Sequence, residues 1–528
     1  MRPRVASQFV WLGLGLLIGV LAAWWIRAPG YMDADYYYAN ARQIAQGSGL
    51  QEPFLWNYLD DPAGLPHPSF LYWMPLASFV SAASMAIGGV GFRSAQAPYL
   101  LATAAVPALT AVLAARFSSD KTGIRQAAAL AIFPGFFLPF FVTTDSFSIY
   151  ALIGAGALAV MASAAQGGPR TRWLAAGVLV GLAHLTRADG VLLLAPGLVA
   201  AVLSKERRVS SVSLIFVGYL AIMTPWWARN GLAVGSPLPE GLNRTLWLLR
   251  YDELFSFPAT ILTAERWWGA GLGVLLKSRL ESLLANLQSL IAVNGLVFLG
   301  PFMLIGALEK KSDPLVRLTA VYLFLLLGMM SFVFPFAGSR GGFFHSSTAF
   351  MPILWALTPL GINRVVRWAA GRRGWVVERA QSLFGWSAPV LAGVLTAVLF
   401  WTRIVGGSPM SPAWSGPANA YAAVSQNLEH LDPTRSVVAA NNPPGLYLAS
   451  GAPSVMIPNG PPEALQAVVE KYAVRWVVLD ANRPDGLAVL YRAPDTLPWL
   501  MLARRIEWEP EGDILIFRVI ATEGEGGQ

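Results

Sequence analysis

The sequence runs to 528 residues, 55% of them hydrophobic and only 13% charged, against roughly a quarter charged in an ordinary soluble domain, so most of the chain is excluded from water. The net charge of +8 and pI near 9.7 do not mark a nucleic-acid binder, because the basic residues sit in short clusters between apolar runs. There is no cysteine, which removes disulfides, thiolate nucleophiles and Cys-ligated zinc from consideration.

Uncharged runs of bilayer length recur from Gln8 to Trp401. In chain order, spans are expected at about 8–26, 95–115, 126–143, 147–165, 173–186, 190–203, 211–228, 283–307, 318–337, 343–361 and 386–401. The first run follows Arg2 and Arg4, is long enough to span and lacks a clear cleavage site, so it reads as a signal anchor. The fold class expected is an all-α polytopic membrane protein of about 11 transmembrane helices with a small C-terminal extracytoplasmic α/β domain.

Orientation follows from the connectors. Arg2/Arg4, Arg116/Lys121/Arg125, Arg170/Arg172, Lys205/Arg207/Arg208, Lys310/Lys311/Arg317 and Arg364/Arg367/Arg372/Arg373/Arg379 are basic clusters, and the positive-inside rule places them in the cytoplasm. That makes the N-terminus cytoplasmic and the C-terminal domain extracytoplasmic. The parity requires Phe70 to Ile87 to lie on the outer surface or re-enter rather than cross. It also requires 173–203 to be two short spans meeting at Thr186-Arg187-Ala188-Asp189-Gly190, since one continuous span would bury both charges in hydrocarbon. The expected division is a membrane module at 1–407, with an outer loop at 27–94, and a soluble domain at 408–528.

The outer segments hold the candidate chemistry. After the first span, Gly30 to Gly47 reads as a short amphipathic helix at the bilayer surface, with Asp33 as N-cap, a face of Tyr37, Ala41, Ile44 and Ala45, and Gly47 as its end. Asp33 and Asp35 read either as caps or as carboxylates at the level of lipid phosphates. His67 follows just before the surface helix, where it is a substrate-binding candidate although a lone loop histidine is more often structural. Asp145 sits between two spans, where a helix N-cap is the competing reading. Arg187 and Asp189 form either an ion pair within their turn or a phosphate site. In Gly338-Ser339-Arg340-Gly341-Gly342 the glycines let backbone N–H groups approach the same anion that Arg340 would meet. His345 reads as a phosphate ligand or as a polar helix start. Arg244, Arg250, Arg266, Lys277 and Arg279 around Trp267-Trp268 read as anchors to membrane lipids.

In the tail, 435–440, 475–480 and 514–520 read as strands, Pro462 to Tyr472 as a helix, and the stretch around Pro510 to Gly512 as a hairpin turn. Loops such as Asn441-Asn442-Pro443-Pro444 are open to an acceptor or to ordinary turn chemistry.

Five motifs over about residues 1–240 carry a family resemblance. They are Asp33-Ala34-Asp35-Tyr36-Tyr37-Tyr38-Ala39-Asn40-Ala41-Arg42, His67-Pro68-Ser69-Phe70-Leu71-Tyr72-Trp73, Thr144-Asp145-Ser146, Leu185-Thr186-Arg187-Ala188-Asp189-Gly190, and Thr224-Pro225-Trp226-Trp227 leading to Gly235-Ser236-Pro237-Leu238. In this order the chain resembles the GT-C glycosyltransferases, the group of protein O-mannosyltransferases and aminoarabinose transferases of lipid A. The resemblance implies a plasma-membrane enzyme, in a bacterium, that takes a sugar from a polyprenyl-phosphate donor to a lipid, glycan or protein acceptor by inverting displacement. It implies Asp33 as general base on the acceptor, Asp145 as the second outer acid, and the Arg340 turn as the one that meets the donor phosphate. Asp35 departs from the family pattern, because Ala34 stands where a second acid usually follows directly. A divalent metal, magnesium or manganese, is compatible with oxygen donors from Asp33, Asp35, Asp145 and His67, with no geometry readable. Two other classes compete: a transporter or flippase for a lipid-linked precursor, and a catalytically silent assembly protein. A transporter should carry its ionisable groups at the bilayer midplane between repeats. Here they collect at one face and no internal repeat is visible.

Overall fold

The computed structural model describes residues 5–204, 208–509 and 511–520. Arg2, Arg4, Lys205, Arg207 and Pro510, which enter the expectations above, lie outside them. The chain divides into two compact units. A helical unit holds Met1–Arg27, Trp73–Arg229 and Lys277–Trp414, and an α/β unit holds Ala28–Tyr72, Asn230–Leu276 and Ser415–Gln528. This differs from the expected division at 407/408. The segment 28–72 belongs with the tail because it supplies a strand to its sheet, and 230–276 joins it through a separate backbone bridge between Ser256 and Asn459.

In the helical unit and its continuations, seven helices among the described residues are long and apolar enough to cross a membrane. They are Gln8–Trp25, Phe92–Phe117, Phe147–Ala165, Arg208–Val234, Pro314–Val333, Pro335–Arg373 and Val377–Val405. An eighth arises if Lys121–Ile132 and Gly135–Phe141, bent by 47°, count as one span. The other three expected spans, at 173–186, 190–203 and 283–307, do not pass this test of length and apolarity. As expected, the 173–203 stretch is two short helices, Thr171–Thr186 and a shorter one ending at Leu203, broken by extended backbone at Arg187. The 283–307 stretch is interrupted after Asn294, where Leu296 and Val297 turn to φ of 43° and 65°. Leu76–Gly88, in the stretch expected not to cross, has 13 residues, about 20 Å of helix, too short to cross a core of about 30 Å by itself.

Packing in this unit relies on close backbone approach, as expected where lipid supplies no hydrophobic drive between helices. The Gly300–Glu309 helix crosses Met351–Arg373 through two glycines. A Cβ on Gly361 would stand 1.9 Å from the Phe302 carbonyl oxygen, and one on Gly306 would stand 2.1 Å from that of Leu357. Arg93 donates to the Ala23 and Ile26 carbonyls at 2.7 and 3.1 Å, satisfying acceptors at the end of the first span.

The α/β unit is built on a six-stranded sheet. Its short outlying strands β1 (Gln51–Glu52) and β3 (His67–Pro68) pair with each other, while β2 (Phe54–Leu55), β4 (Val438–Ala440), β5 (Ser454–Met456), β6 (Trp476–Leu479), β7 (Leu500–Ile506) and β8 (Ile514–Val519) form the sheet in the order β2-β5-β4-β6-β8-β7. The first four are parallel, with Leu55 opposite Val455, and β8 and β7 close the edge antiparallel. Residues of β4, β5 and β6 are buried on both faces, which is why β4 and β6 read as unbroken apolar runs rather than alternations. Tyr421, Val424 and Leu428 of the Gly416–Leu431 helix pack with Val438, Trp476 and Ile516 in one core. The expected helix at Pro462–Tyr472 and hairpin before β8 are present. Helices Gly416–Leu431 and Pro443–Ser450 add to the expected elements.

Candidate functional site

In the α/β unit, the helix carrying the paired acids spans Met32–Ala45. Its N-cap is Tyr31, in extended backbone, with no side-chain cap bond, so Asp33 is not the cap that the sequence suggests. Asp33 and Asp35 instead occupy the first turn, where the helix dipole favours negative charge. The expected helix end holds: Gly47, at φ 82°, donates to the Ile44 carbonyl. The helix does not present one wet face to a bilayer surface, because Ala34 to Tyr37 and Ala39 to Ala41 are buried.

The two acids have different surroundings. Asp33 is half-buried. Asp35 is 6% exposed and accepts a 2.8 Å hydrogen bond from Asn442 Nδ2. Burial pushes the Asp35 carboxyl up to about 7; the Asn442 bond pulls it down and the Asp33 charge raises it further. On the neighbouring face, Tyr36 Oη accepts from the Phe70 amide at 3.0 Å, and Asn40 donates to Glu52 at 3.0 Å. His67 belongs to this second network. It is buried, with Nε2 3.3 Å from Glu52 and 3.1 Å from the Phe54 carbonyl, and Nδ1 3.0 Å from the Pro68 carbonyl. Oxygen acceptors face both ring nitrogens, an arrangement suited to the doubly protonated ring and to a structural role for His67.

In the helical unit, Asp145 and His345 come together. Asp145 is 1% exposed and does not cap the helix that follows, whose cap position is Ser146. One of its oxygens accepts from the Ser146 amide and hydroxyl, and the other lies 3.1 Å from His345 Nε2. His345 Nδ1 meets the Gly341 carbonyl at 2.8 Å, and its ring packs on Phe147 at 3.9 Å. The imidazole is thereby fixed in rotation. A carboxylate oxygen and an imidazole nitrogen are also the donor types that hold divalent cations.

Arg187 and Asp189 form the ion pair that the competing reading anticipates, at 3.1 Å. Ser346, next to His345, bonds to both: Arg187 Nε donates to its hydroxyl at 2.8 Å, and that hydroxyl donates to Asp189. The short Phe343–Ser347 helix thus links the Asp145 loop with the Arg187 turn through two consecutive side chains. Tyr150 and Tyr322 share a 2.9 Å bond beneath it, and Tyr322 donates to the Ser346 carbonyl. Arg340 is exposed on the kink that precedes this helix. The kink depends on Gly341, at φ 127°, a value closed to most side chains. Tyr322 escapes the sequence reading, and so do the partners of Ser346 and Asn442, since single Ser, Tyr and Asn residues in helices or turns carry no local sign of a distant partner.

Comparison with known proteins fits this architecture. Residues 66–228 match the family model described as dolichyl-phosphate-mannose-protein mannosyltransferase, less than half of the chain. No curated protein matches the sequence. Among solved structures, the chain is similar to ArnT from Cupriavidus metallidurans bound to undecaprenyl phosphate, with TM-score 0.56 and 13% identity over 100% of both chains. It is likewise similar to the apo state of that protein, with TM-score 0.56 and 12% identity over 97% of this chain and 98% of the other. The class defined by these findings is the multi-pass membrane protein with the GT-C fold of membrane glycosyltransferases. Within that class, the 66–228 segment carries the protein-mannosyltransferase sequence pattern.

Proposed function

We propose that this protein moves a sugar from a polyprenyl-phosphate donor to an acceptor at the outer face of the membrane, with Asp33 as general base. The observation that carries the reading is the full-length GT-C fold together with a half-buried acid in the first turn of the helix that follows the first span. The family match over 66–228 and the undecaprenyl phosphate held by the similar ArnT structure support a lipid-phosphate donor.

The chemistry assigns each group a task. The acceptor hydroxyl or amine gives its proton to the Asp33 carboxylate as its heteroatom attacks the anomeric carbon. The bond from that carbon to the phosphate oxygen breaks, and the phosphate leaves with the electron pair. One displacement inverts the anomeric centre. Negative charge gathers on the departing phosphate, and Arg340, on its glycine turn, is the cation assigned to it. Arg187 is already bonded to Asp189 and Ser346, so it serves the structure of its turn. Asp145, almost fully buried, acts by holding His345.

The test is transfer of labelled sugar from a synthetic polyprenyl-phosphate sugar by the purified full-length protein. Asp33→Asn should lower the rate by roughly 10²- to 10⁴-fold, the usual contribution of a positioned base, with the protein still folded. Full activity in that variant would remove the assigned base.

A further inference from the structure

The acid pair lies at the start of the chain, yet the partner of its buried member comes from the tail. Asn442 lies two residues past the end of β4 and caps the Pro443–Ser450 helix, its Oδ1 accepting from the Gly445 amide at 3.0 Å. Its Nδ2 is left to donate to Asp35 at 2.8 Å. Two further bonds join the same two helices: Tyr447 Oη to Gln43 Oε1 at 3.1 Å and Arg42 Nη1 to the Leu448 carbonyl at 3.3 Å. Asp35, Arg42 and Gln43 are spaced by seven and eight residues, so they form one stripe facing the tail helix.

Asp33 lies off that stripe. Two residues along a helix subtend about 200°, so pinning Asp35 to one side turns Asp33 to the other. The approach is close at the pin itself: a Cβ on Gly445 would stand 3.0 Å from Asp35 Oδ2. Of the three bonds, the one from Asn442 is nearest the helix start, where a small rotation displaces the Asp33 carboxylate most directly.

We infer that Asn442 is a positioning residue for sugar transfer, which by its bond to Asp35 sets the rotation of the Met32–Ala45 helix and so the aim of Asp33. The inference rests on the assignment of Asp33 as base. Asp35 then acts as the helix's fastening point and not as a second acid in the chemistry. The tail contributes to catalysis through this contact without touching substrate.

The experiment is steady-state transfer by full-length protein carrying Asn442→Ala, Tyr447→Phe, or the exchanged pair Asp35→Asn with Asn442→Asp, with thermal melting as a check on folding. A misaimed base is expected to lower kcat by about 10- to 100-fold in Asn442→Ala while acceptor KM moves less than about twofold. Tyr447→Phe, which loses a bond two turns downstream, should stay near wild type. The exchanged pair restores both the cap on Gly445 and the bond between the two helices with donor and acceptor reversed, and should recover most of the rate. Wild-type kcat in Asn442→Ala overturns the inference, as does failure of the exchanged pair to recover, which would make the Asp35 carboxylate itself chemical. If Asp33→Asn is inactive while Asn442→Ala is fully active, only this inference falls. If Asp33→Asn transfers normally, both fall.

Discussion

The Asp35 carboxyl illustrates how a single buried acid couples the fold to pH. Burial raises it to about 7 in the folded protein, from an ordinary value near 3.8 in the open chain. Between those values the folded state holds a proton that the unfolded state has lost, so stability declines as pH rises through this window. Asp60 and Asp480, both raised to about 6 chiefly by burial, act in the same sense in the same unit. Asp35→Asn keeps a neutral side chain of the same shape at every pH. It should therefore raise the melting temperature of the full-length protein by a few degrees at pH 8 and by little at pH 4.5. Equal effects at the two pH values would show that the carboxyl is not desolvated. At this scale the sequence was informative about residue type and silent about partners. Asp33, Asp145 and His345 are legible as polar groups in apolar surroundings. The bond from Asn442 to Asp35 joins residues too far apart in sequence to leave a local trace.

Among the elements, those with a local signal were readable and those defined by distant contacts were not. The first span, the Pro462–Tyr472 helix and strands β6 and β8 follow from apolar length, periodicity and turn residues. The Asp33 helix was placed correctly but its cap and its surroundings were not. An aspartate before an apolar-periodic stretch usually caps it, whereas here the backbone already turns helical at Met32. Helix crossings in the helical unit make a sharper prediction. Gly361→Ala places a methyl against the Phe302 carbonyl and should destabilise the protein by about 1–3 kcal/mol, as overpacking does. Gly371→Ala, on the same Met351–Arg373 helix with open space around it, should be neutral or stabilising by up to about 1 kcal/mol. Melting in detergent separates the two, and equal behaviour would mean that this crossing is looser than the backbone distances require.

For the whole molecule, the chain-order picture of a membrane module followed by an appended domain gives way to two units that each draw on separated stretches of sequence. Strand β2 is the clearest reason: Phe54 and Leu55 pair parallel with Ser454 and Val455, and parallel pairing carries no local signature. The two breaks within apolar stretches differ in the same way: the one at Arg187 is legible from its pair of charges, whereas the one after Asn294 is a matter of backbone geometry that hydropathy does not register. The proposed function requires the Asp33 helix to stand at the outer face and the basic connectors at the cytoplasmic one. A cysteine-free chain permits a clean test, using single cysteines at the exposed positions Ser48, Ser408 and Ser312. With a membrane-impermeant maleimide applied to intact cells, Ser48→Cys and Ser408→Cys should label at once and Ser312→Cys only after permeabilisation. Labelling of Ser48→Cys together with Ser312→Cys, on the same side, would rule out that placement.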